Sequence, residues 1–562
     1  LKFLIVFMII SSFTEIVSVG AVLPFLGILT DPNRIFEHPL AQPFIKVLGI
    51  TSPGQLLFPL TIVFCIAAVV AGAMRLLVLW STMRLSFAIG IDLSINVFRR
   101  TLYQPYSVHI SRNSSEVISG ITGKISEVIS YILIPCLIFF SACVMLLAIN
   151  VALISIIPVT VLVTFGCCGL AYVVIIKLTK NIVRKNSEQI AYESNQTLKS
   201  LQEGLGGIRD VLIDGTQDYF CEKYLKSEKK LRRAQGSNQI LSNGPRYFME
   251  VLAMMLLAIL AYILTKQATN AAAAVPTLAA IALGMQRLLP ALQQIYWAWS
   301  TIHGAQASLQ DALELLDQKI PDHQISLSKA SIRFEKDIRL NNISYRYTQQ
   351  TPWVFREVNL VINKGSRVGF IGTTGSGKST LLDIVMGLLQ PSEGSLKVDG
   401  TEITPPNLSA WQSRIAHVPQ AIYLSDNSIE ENIAFGIHKT SIDSQRVKHA
   451  AEQAQIANLI EEWPNKYNTT IGERGVQLSG GQRQRIGIAR ALYKEADIII
   501  FDEATSALDN ETEQFVMNAI ENLSENITIF IIAHRLTTVK NCTHIIEMRD
   551  GKIYQTNGLI ND

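Results

Sequence analysis

Gly372-Thr373-Thr374-Gly375-Ser376-Gly377-Lys378-Ser379-Thr380 follows the apolar run Val368–Ile371 and opens a helical stretch, Thr380–Leu389. Glycines at this spacing let backbone N–H groups turn inward around phosphates, and the following helix adds the positive end of its dipole. Lys378 is placed to reach the β and γ phosphates, and the Ser379 hydroxyl to ligate magnesium. A chance glycine-rich turn is the plain alternative, and the strand–loop–helix setting opposes it. A second element complements the first. Ile498-Ile499-Ile500-Phe501-Asp502-Glu503 reads as a buried strand ending in two carboxylates, at the sheet edge where ligands bind in such folds. Asp502 is expected to hold Mg2+ through water and Glu503 to polarise the attacking water. Two acids capping the next helix would be the structural alternative. Together the two motifs predict ATP binding and hydrolysis.

These groups need a sheet to position them. From Ile332 onward the strands Arg367–Ile371, Ile498–Phe501 and Ile527–Ile532 alternate with amphipathic helical stretches. That alternation predicts an α/β P-loop nucleotide-binding domain with a largely parallel sheet over 332–562. Gln318–Ser328 is polar and contains Pro321, so 318–331 is expected to be a linker.

Residues 1–317 differ in kind. The whole chain of 562 residues is 49% apolar and only 17% charged, against about 25% charged in soluble proteins. Its length predicts several domains. A net charge of +3 predicts no nucleic-acid partner, and seven cysteines without regular spacing suggest neither a disulfide scaffold nor a zinc site. The apolar excess lies in six runs centred on Leu4–Leu29, Leu56–Leu79, Val128–Ile149, Val151–Ile176, Val251–Leu264 and Ala271–Leu289. Each is close to the roughly 20 residues that cross a bilayer as a helix. The prediction is a membrane all-α domain of six helices, with Glu15 inside the first run arguing against a cleaved signal peptide.

Basic residues set the orientation. The segments Arg84–Lys124 and Lys177–Arg246 carry 18 Lys and Arg, and the other connections carry Arg34, Lys46 and Lys266. The positive-inside rule makes the first two cytoplasmic, along with the C-terminal domain. Both are long and polar, and are expected to be helical extensions below the membrane. Leu40, Phe44, Ile45 and Leu48 share one side of a helix between Pro39 and Gly49. That piece could lie on the outer surface or be an ordered loop.

Leu478-Ser479-Gly480-Gly481-Gln482, about 20 residues before Asp502, resembles the signature of the ATP-binding cassette (ABC) transporters. Tyr347 resembles the aromatic that stacks on adenine, Gln420 the glutamine that senses magnesium, and His534 the switch histidine near the γ phosphate. Ser506-Ala507-Leu508-Asp509 resembles the loop crossing the dimer interface, and Gly472-Glu473-Arg474-Gly475 the exporter segment meeting the membrane domain. The resemblance implies that two cassettes dimerise head to tail, with Ser479, Gly480, Gly481 and Gln482 acting in trans on ATP. It makes Glu503 and His534 the catalytic residues, with Ser379, Gln420 and Asp502 at Mg2+. One chain then supplies half a transporter, and a homodimer is the simplest expectation, with a related partner chain left open. The family's coupling helices are expected near Pro105–His109 and Gly207–Phe220, facing a cassette groove around Tyr423. The amphipathic elbow helix usual in exporters is missing ahead of Leu1, and the start of the chain is expected to lie upstream.

For the cargo, the informative residues are charges inside spans, which are costly and usually face a cavity or a partner. Counted at about 1.5 Å per residue from each outer end, Arg75, Arg246 and Arg287 fall roughly 24–30 Å down, at inner-leaflet headgroup level. Arginine forks suit phosphates, so the three could clamp a phosphate or pyrophosphate headgroup. Alternatively each snorkels or pairs with a carboxylate, Glu15 and Glu250 being available. Ser12–Pro32, the Arg75 region, Gly244-Pro245-Arg246 and Arg287-Leu288-Leu289-Pro290 resemble the bacterial flippases of lipid-linked oligosaccharides, although Gln294 stands where a further arginine is expected. That resemblance implies ATP-driven flipping of a lipid-linked glycan or glycolipid from the cytoplasmic leaflet of a bacterial inner membrane. The alternatives are a multidrug or lipid A exporter and, less favoured, a peptide exporter or an ATP-gated channel.

Overall fold

The computed structural model describes residues 2–30, 36, 42, 45, 51–112, 117–118, 120–154, 158–267, 275–320, 332–472, 475–503, 513–514, 526–533, 539–540, 542–549 and 551–557. The chain divides into two compact units, Leu1–Leu102 with Arg112–Lys319, and Tyr103–Ser111 with Ile320–Asp562.

The first unit is helical because lipid leaves a backbone no partner outside its own segment. Its main helices are α1 (Lys2–Thr30) and α2 (Leu57–Leu102), then, beyond α3 (Tyr106–Ser111) of the second unit, α4 (Ile134–Ile154), α5 (Pro158–Gly206), α6 (Ile208–Ile213), α7 (Gln217–Asn243), α8 (Pro245–Gln267), α9 (Val275–Gly304) and α10 (Gln306–Leu316). Among the described residues, Pro53–Leu102, Gly120–Val151, Gly166–Gly206 and Gln217–Ile263 are long and apolar enough to cross a membrane. The first and sixth expected runs fall on α1 and α9, and residues 271–274 of the sixth lie outside the described residues. So does most of the expected outer piece between Pro39 and Gly49.

The helices α2 and α5 have 46 and 49 residues, or about 70 Å each at 1.5 Å per residue. Hydrocarbon accounts for about 30 Å, so more than half of each continues into water as the basic composition predicts. There, ion pairs join a few buried apolar side chains such as Val183, Leu231 and Ala234: Lys223 pairs with Glu203, and Lys230 with Glu193 at 3.1 Å, between α7 and α5. Sequence reasoning did not foresee two π-helical turns ahead of α4, Gly120–Lys124 and Ile129–Leu133. They come with close packing: a Cβ at Gly90 would lie 2.3 Å from Ile129 Cδ1, and one at Gly120 2.5 Å from Leu315 Cδ1.

The second unit holds two sheets. An antiparallel sheet has the order β2-β1-β4-β5, from β1 (Asp337–Tyr345), β2 (Phe355–Asn363), β4 (Glu393–Val398) and β5 (Thr401–Glu402). The other has the order β10-β9-β3-β8-β7-β6, from β3 (Arg367–Ile371), β6 (Ile415–Val418), β7 (Ile498–Asp502), β8 (Thr528–Ile532), β9 (His544–Arg549) and β10 (Lys552–Asn557). Its pairings are parallel except β9 with β10. The parallel sheet matches expectation, whereas the antiparallel one carries no signal beyond short alternating runs. Strand alternation sorts the core onto two faces. Ile498, Ile500, Phe530 and Ile532 pack with Leu381, Leu382, Ile384 and Val385 of α11 (Lys378–Val385). Ile499, Phe501, Ile529 and Ile531 pack with Ile486, Ile488 and Ala489 of α12 (Gly480–Tyr493). Both sheet faces are therefore covered, which holds the carboxyl ends of β3 and β7 in fixed register.

Candidate nucleotide site

The loop between β3 and α11 owes its shape to glycine. Gly372 has φ +143° and a Cβ there would meet the Met548 carbonyl oxygen at 2.2 Å. Gly377, at φ +98°, is the N-cap of α11. Inside the loop Lys378 is buried and donates from Nζ to the carbonyls of Gly372 (2.8 Å) and Thr373 (3.0 Å). Burial pushes its ammonium below the usual lysine range, and the charges of Glu503 and Asp502 work against that shift. Ser376 Oγ is buried in the same loop without a hydrogen-bond partner. A buried hydroxyl lacking an acceptor, a cation and a helix N-terminus together fit a polyphosphate. Ser379, in the first turn of α11, is exposed, and Thr373, Thr374 and Gly375 line the open side.

The register of β7 brings Asp502 opposite Ile532 on β8. Glu503 follows in a left-handed conformation, φ +50°, its N–H donating to the Ile532 carbonyl at 3.1 Å. Such a backbone is uncommon for a residue with a side chain and marks a constrained position. Gln420 Nε2 donates to Glu503 Oε2 at 2.6 Å. The structure thus brings together two predicted residues that stand 83 apart in the chain. Tyr347, half exposed, sets its ring edge-on to Tyr345 with centroids 5.2 Å apart. Its hydroxyl shares a 3.0 Å hydrogen bond with Thr380 Oγ1.

Ser479 is the N-cap of α12, its hydroxyl accepting from the Gln482 N–H at 3.2 Å while Gln482 Oε1 accepts from the Ser479 N–H at 2.8 Å. This capping box gives Gln482 a structural use next to its expected place at ATP. Gly480 and Gly481 open the helix, presenting unpaired N–H groups suited to an anion. His534, Ser506–Asp509, Glu473 and Arg474 lie outside the described residues. Short helices stand at both expected coupling positions, α3 and α6. The latter exposes Ile208, Leu212 and Ile213.

Asp383 was not singled out from sequence, although one acid among Leu381, Leu382, Ile384 and Val385 is a signal. Burial pushes its carboxyl up to about 6, with the Asp502 charge adding to the shift. A carboxyl raised above its unfolded value of 3.8 contributes stability below that value and loses it as pH rises through about 6. Asp383→Asn should therefore raise the cassette's unfolding free energy in urea at pH 7.5, by about 1 kcal/mol once partial exposure is allowed for. The difference should vanish below pH 4, which denaturant titrations over a pH series would check.

In the membrane unit, Arg75 Nε lies 3.5 Å from Glu15 Oε2, a carboxylate 1% exposed on α1. Arg246 Nε pairs with Glu250 Oε1 at 2.8 Å, one turn along α8, and stays 62% exposed. Two of the three span arginines therefore take the carboxylate partners that the sequence offered. Arg287 lies on α9.

A phosphate-binding loop facing two strand-end carboxylates, on a chain whose other half is long apolar helices, defines a membrane-bound P-loop ATPase. Comparison narrows the class. Residues 355–506 match the ABC transporter family and residues 3–289 the ABC transporter transmembrane region. The chain belongs to this family, as an ABC exporter half-transporter that couples ATP hydrolysis to transport. It is 33% identical over 398 residues to an ATP-dependent lipid A-core flippase of Alkalilimnicola ehrlichii, covering 70% of this chain and 67% of that one. A flippase of the same description from Saccharophagus degradans is 31% identical over 478 residues, covering 83% and 78%. A solved bacterial Atm1-family ABC exporter with ATP bound shares the fold, with a TM-score of 0.78 at 23% identity over 96% of this chain and 94% of that chain.

Proposed function

We propose that this exporter flips a phosphorylated glycolipid of the lipid A-core kind out of the cytoplasmic leaflet of a bacterial inner membrane, working as a homodimer with its cassettes in the cytoplasm. The observation that carries the cargo is the shared description of relatives such as those of A. ehrlichii and S. degradans, which match across both halves of the chain. The expected lipid-linked oligosaccharide rests on short membrane motifs alone, so the lipid A alternative takes precedence. The span arginines suit either headgroup, because lipid A and a polyprenyl pyrophosphate both carry phosphate on sugar or lipid. Arg75 and Arg246 meet their carboxylates through Nε, and a guanidinium carries further N–H donors on its two terminal nitrogens. A phosphate could then add to each pair rather than having to displace it.

In the cassette, Lys378 and the N–H groups of residues 372–380 would hold the phosphates. Ser379, Gln420 and Asp502 would hold Mg2+, which supplies charge neutralisation at the β and γ oxygens when bound. Glu503 orients and polarises the attacking water, with Gln420 fixing its carboxylate. His534 would support the γ phosphate, and Ser479, Gly480 and Gly481 of the second copy would close over it.

ATPase assays in nanodiscs test the cargo. Lipid A-core should stimulate hydrolysis several-fold, and Arg75→Ala with Arg287→Ala should remove most of that stimulation while leaving basal turnover within about twofold. Stimulation by polyprenyl-pyrophosphate oligosaccharide and not by lipid A-core would restore the oligosaccharide reading. Stimulation by hydrophobic drugs alone, unchanged in the arginine variants, would remove both.

A further inference from the structure

The residue expected to stack on the nucleotide base is tied to the helix expected to hold its phosphates. Tyr347 follows β1, and Thr380 lies in the first turn of α11, 33 residues later. Their hydroxyls meet at 3.0 Å. Thr380 is buried, at 8% exposure, whereas Tyr347 is 52% exposed. An exposed ring would ordinarily sample several rotamers. Here it has two anchors: the edge-on contact with Tyr345 and the hydroxyl bond to a buried partner on a different element. Tyr345 is itself fixed, at 5% exposure, by its place on β1 and its contact with Phe355 at 6.4 Å. The short helix α3 belongs to the same unit and places Tyr106 near both Asp383 and Tyr347; burial raises its phenol, and their charges add to the shift. The Tyr347 ring is thus half exposed while its hydroxyl is tied and its neighbour Tyr345 is fixed.

We propose that Thr380 is a positioning residue for the nucleotide base, its hydroxyl holding the Tyr347 ring in the orientation that stacks on adenine before ATP arrives. Stacking on a ring already in place spares the rotamer entropy that a free tyrosine would lose on binding. The two recognition tasks are also linked, because the residue that orients the base platform sits among the phosphate-binding groups of α11. The inference rests on the reading of Tyr347 as the base platform, and the variants below separate the two ideas.

Affinities would be measured by calorimetry on the full-length protein in nanodiscs, with ATP and with inorganic tripolyphosphate, which has no base. Tyr347→Phe keeps the ring and loses the tether. It should weaken ATP binding about fivefold, the equivalent of one ordinary hydrogen bond, and leave tripolyphosphate unchanged. Thr380→Ser keeps the hydroxyl and should bind ATP as the parent does. In a Thr380→Val background, whose own phosphate affinity is taken as the new reference, adding Tyr347→Phe should cost nothing further. A full fivefold loss in that background, or no loss for Tyr347→Phe alone, would overturn the positioning role. If Tyr347→Ala also leaves ATP affinity unchanged, it is the platform itself that fails. If Tyr347→Ala weakens ATP and Tyr347→Phe does not, the platform stands and the tether falls.

Discussion

Glu503→Gln is expected to lower ATP turnover by 10²- to 10⁴-fold, the usual contribution of a positioned general base, while ATP still binds. The geometry explains why the two effects separate. Glutamine has nearly the shape of glutamate, so the left-handed turn at φ +50° and the N–H bond to Ile532 can persist. The 2.6 Å contact from Gln420 also survives, with the amide oxygen as acceptor in place of Oε2. What is lost is a carboxylate able to draw a proton from the attacking water. Phosphate release under saturating ATP, together with a binding isotherm on the same sample, measures both sides. A loss of less than tenfold would move the base elsewhere.

Lys378→Ala is expected to have the opposite profile, with ATP affinity falling by at least about 10²-fold. Lys378 is 6% exposed, and a buried ammonium is tolerated only where partners offset its desolvation. Two loop carbonyls and the nearby charges of Asp502 and Glu503 do so here. Alanine removes the one positive side chain of the loop and leaves the Gly372 and Thr373 carbonyls without that donor. Charge-assisted bonds are worth about 1.5–3 kcal/mol each, so losing two to a polyphosphate accounts for the expected drop. Calorimetric titration with ATP would show it, and binding within tenfold of the parent would contradict the assignment.

Much of the cassette was legible because its signals are local. The phosphate loop needs glycine at positions of positive φ, and Gly372, Gly375 and Gly377 all have it. The acidic pair needs an apolar strand ahead of it, and Ile498–Phe501 is buried throughout. Helix-length apolar runs mark the membrane half for an equally local reason, since hydrocarbon allows no other backbone partner. The lipid-linked oligosaccharide expectation has no comparably specific motif behind it. It rests on a few span motifs, whereas the relatives of A. ehrlichii and S. degradans are themselves described as lipid A-core flippases.

What remained hidden depends on residues far apart in the chain. No spacing rule joins Gln420 to Glu503, because β6 and β7 become neighbours only when the sheet assembles. The Tyr347–Thr380 bond likewise needs β1 and α11 side by side, and the raised Asp383 carboxyl needs the burial that packing imposes. The span arginines show the same division. Their charge and approximate depth could be counted along the helices, but only tertiary packing set Glu15 of α1 against Arg75 of α2. By itself the sequence determined which chemical groups exist and which backbone shapes could carry them, through glycine, apolar run length and charge. Tertiary structure decided which of those groups meet, because hydrogen bonds and desolvation act over a few ångströms of space whatever the separation along the chain.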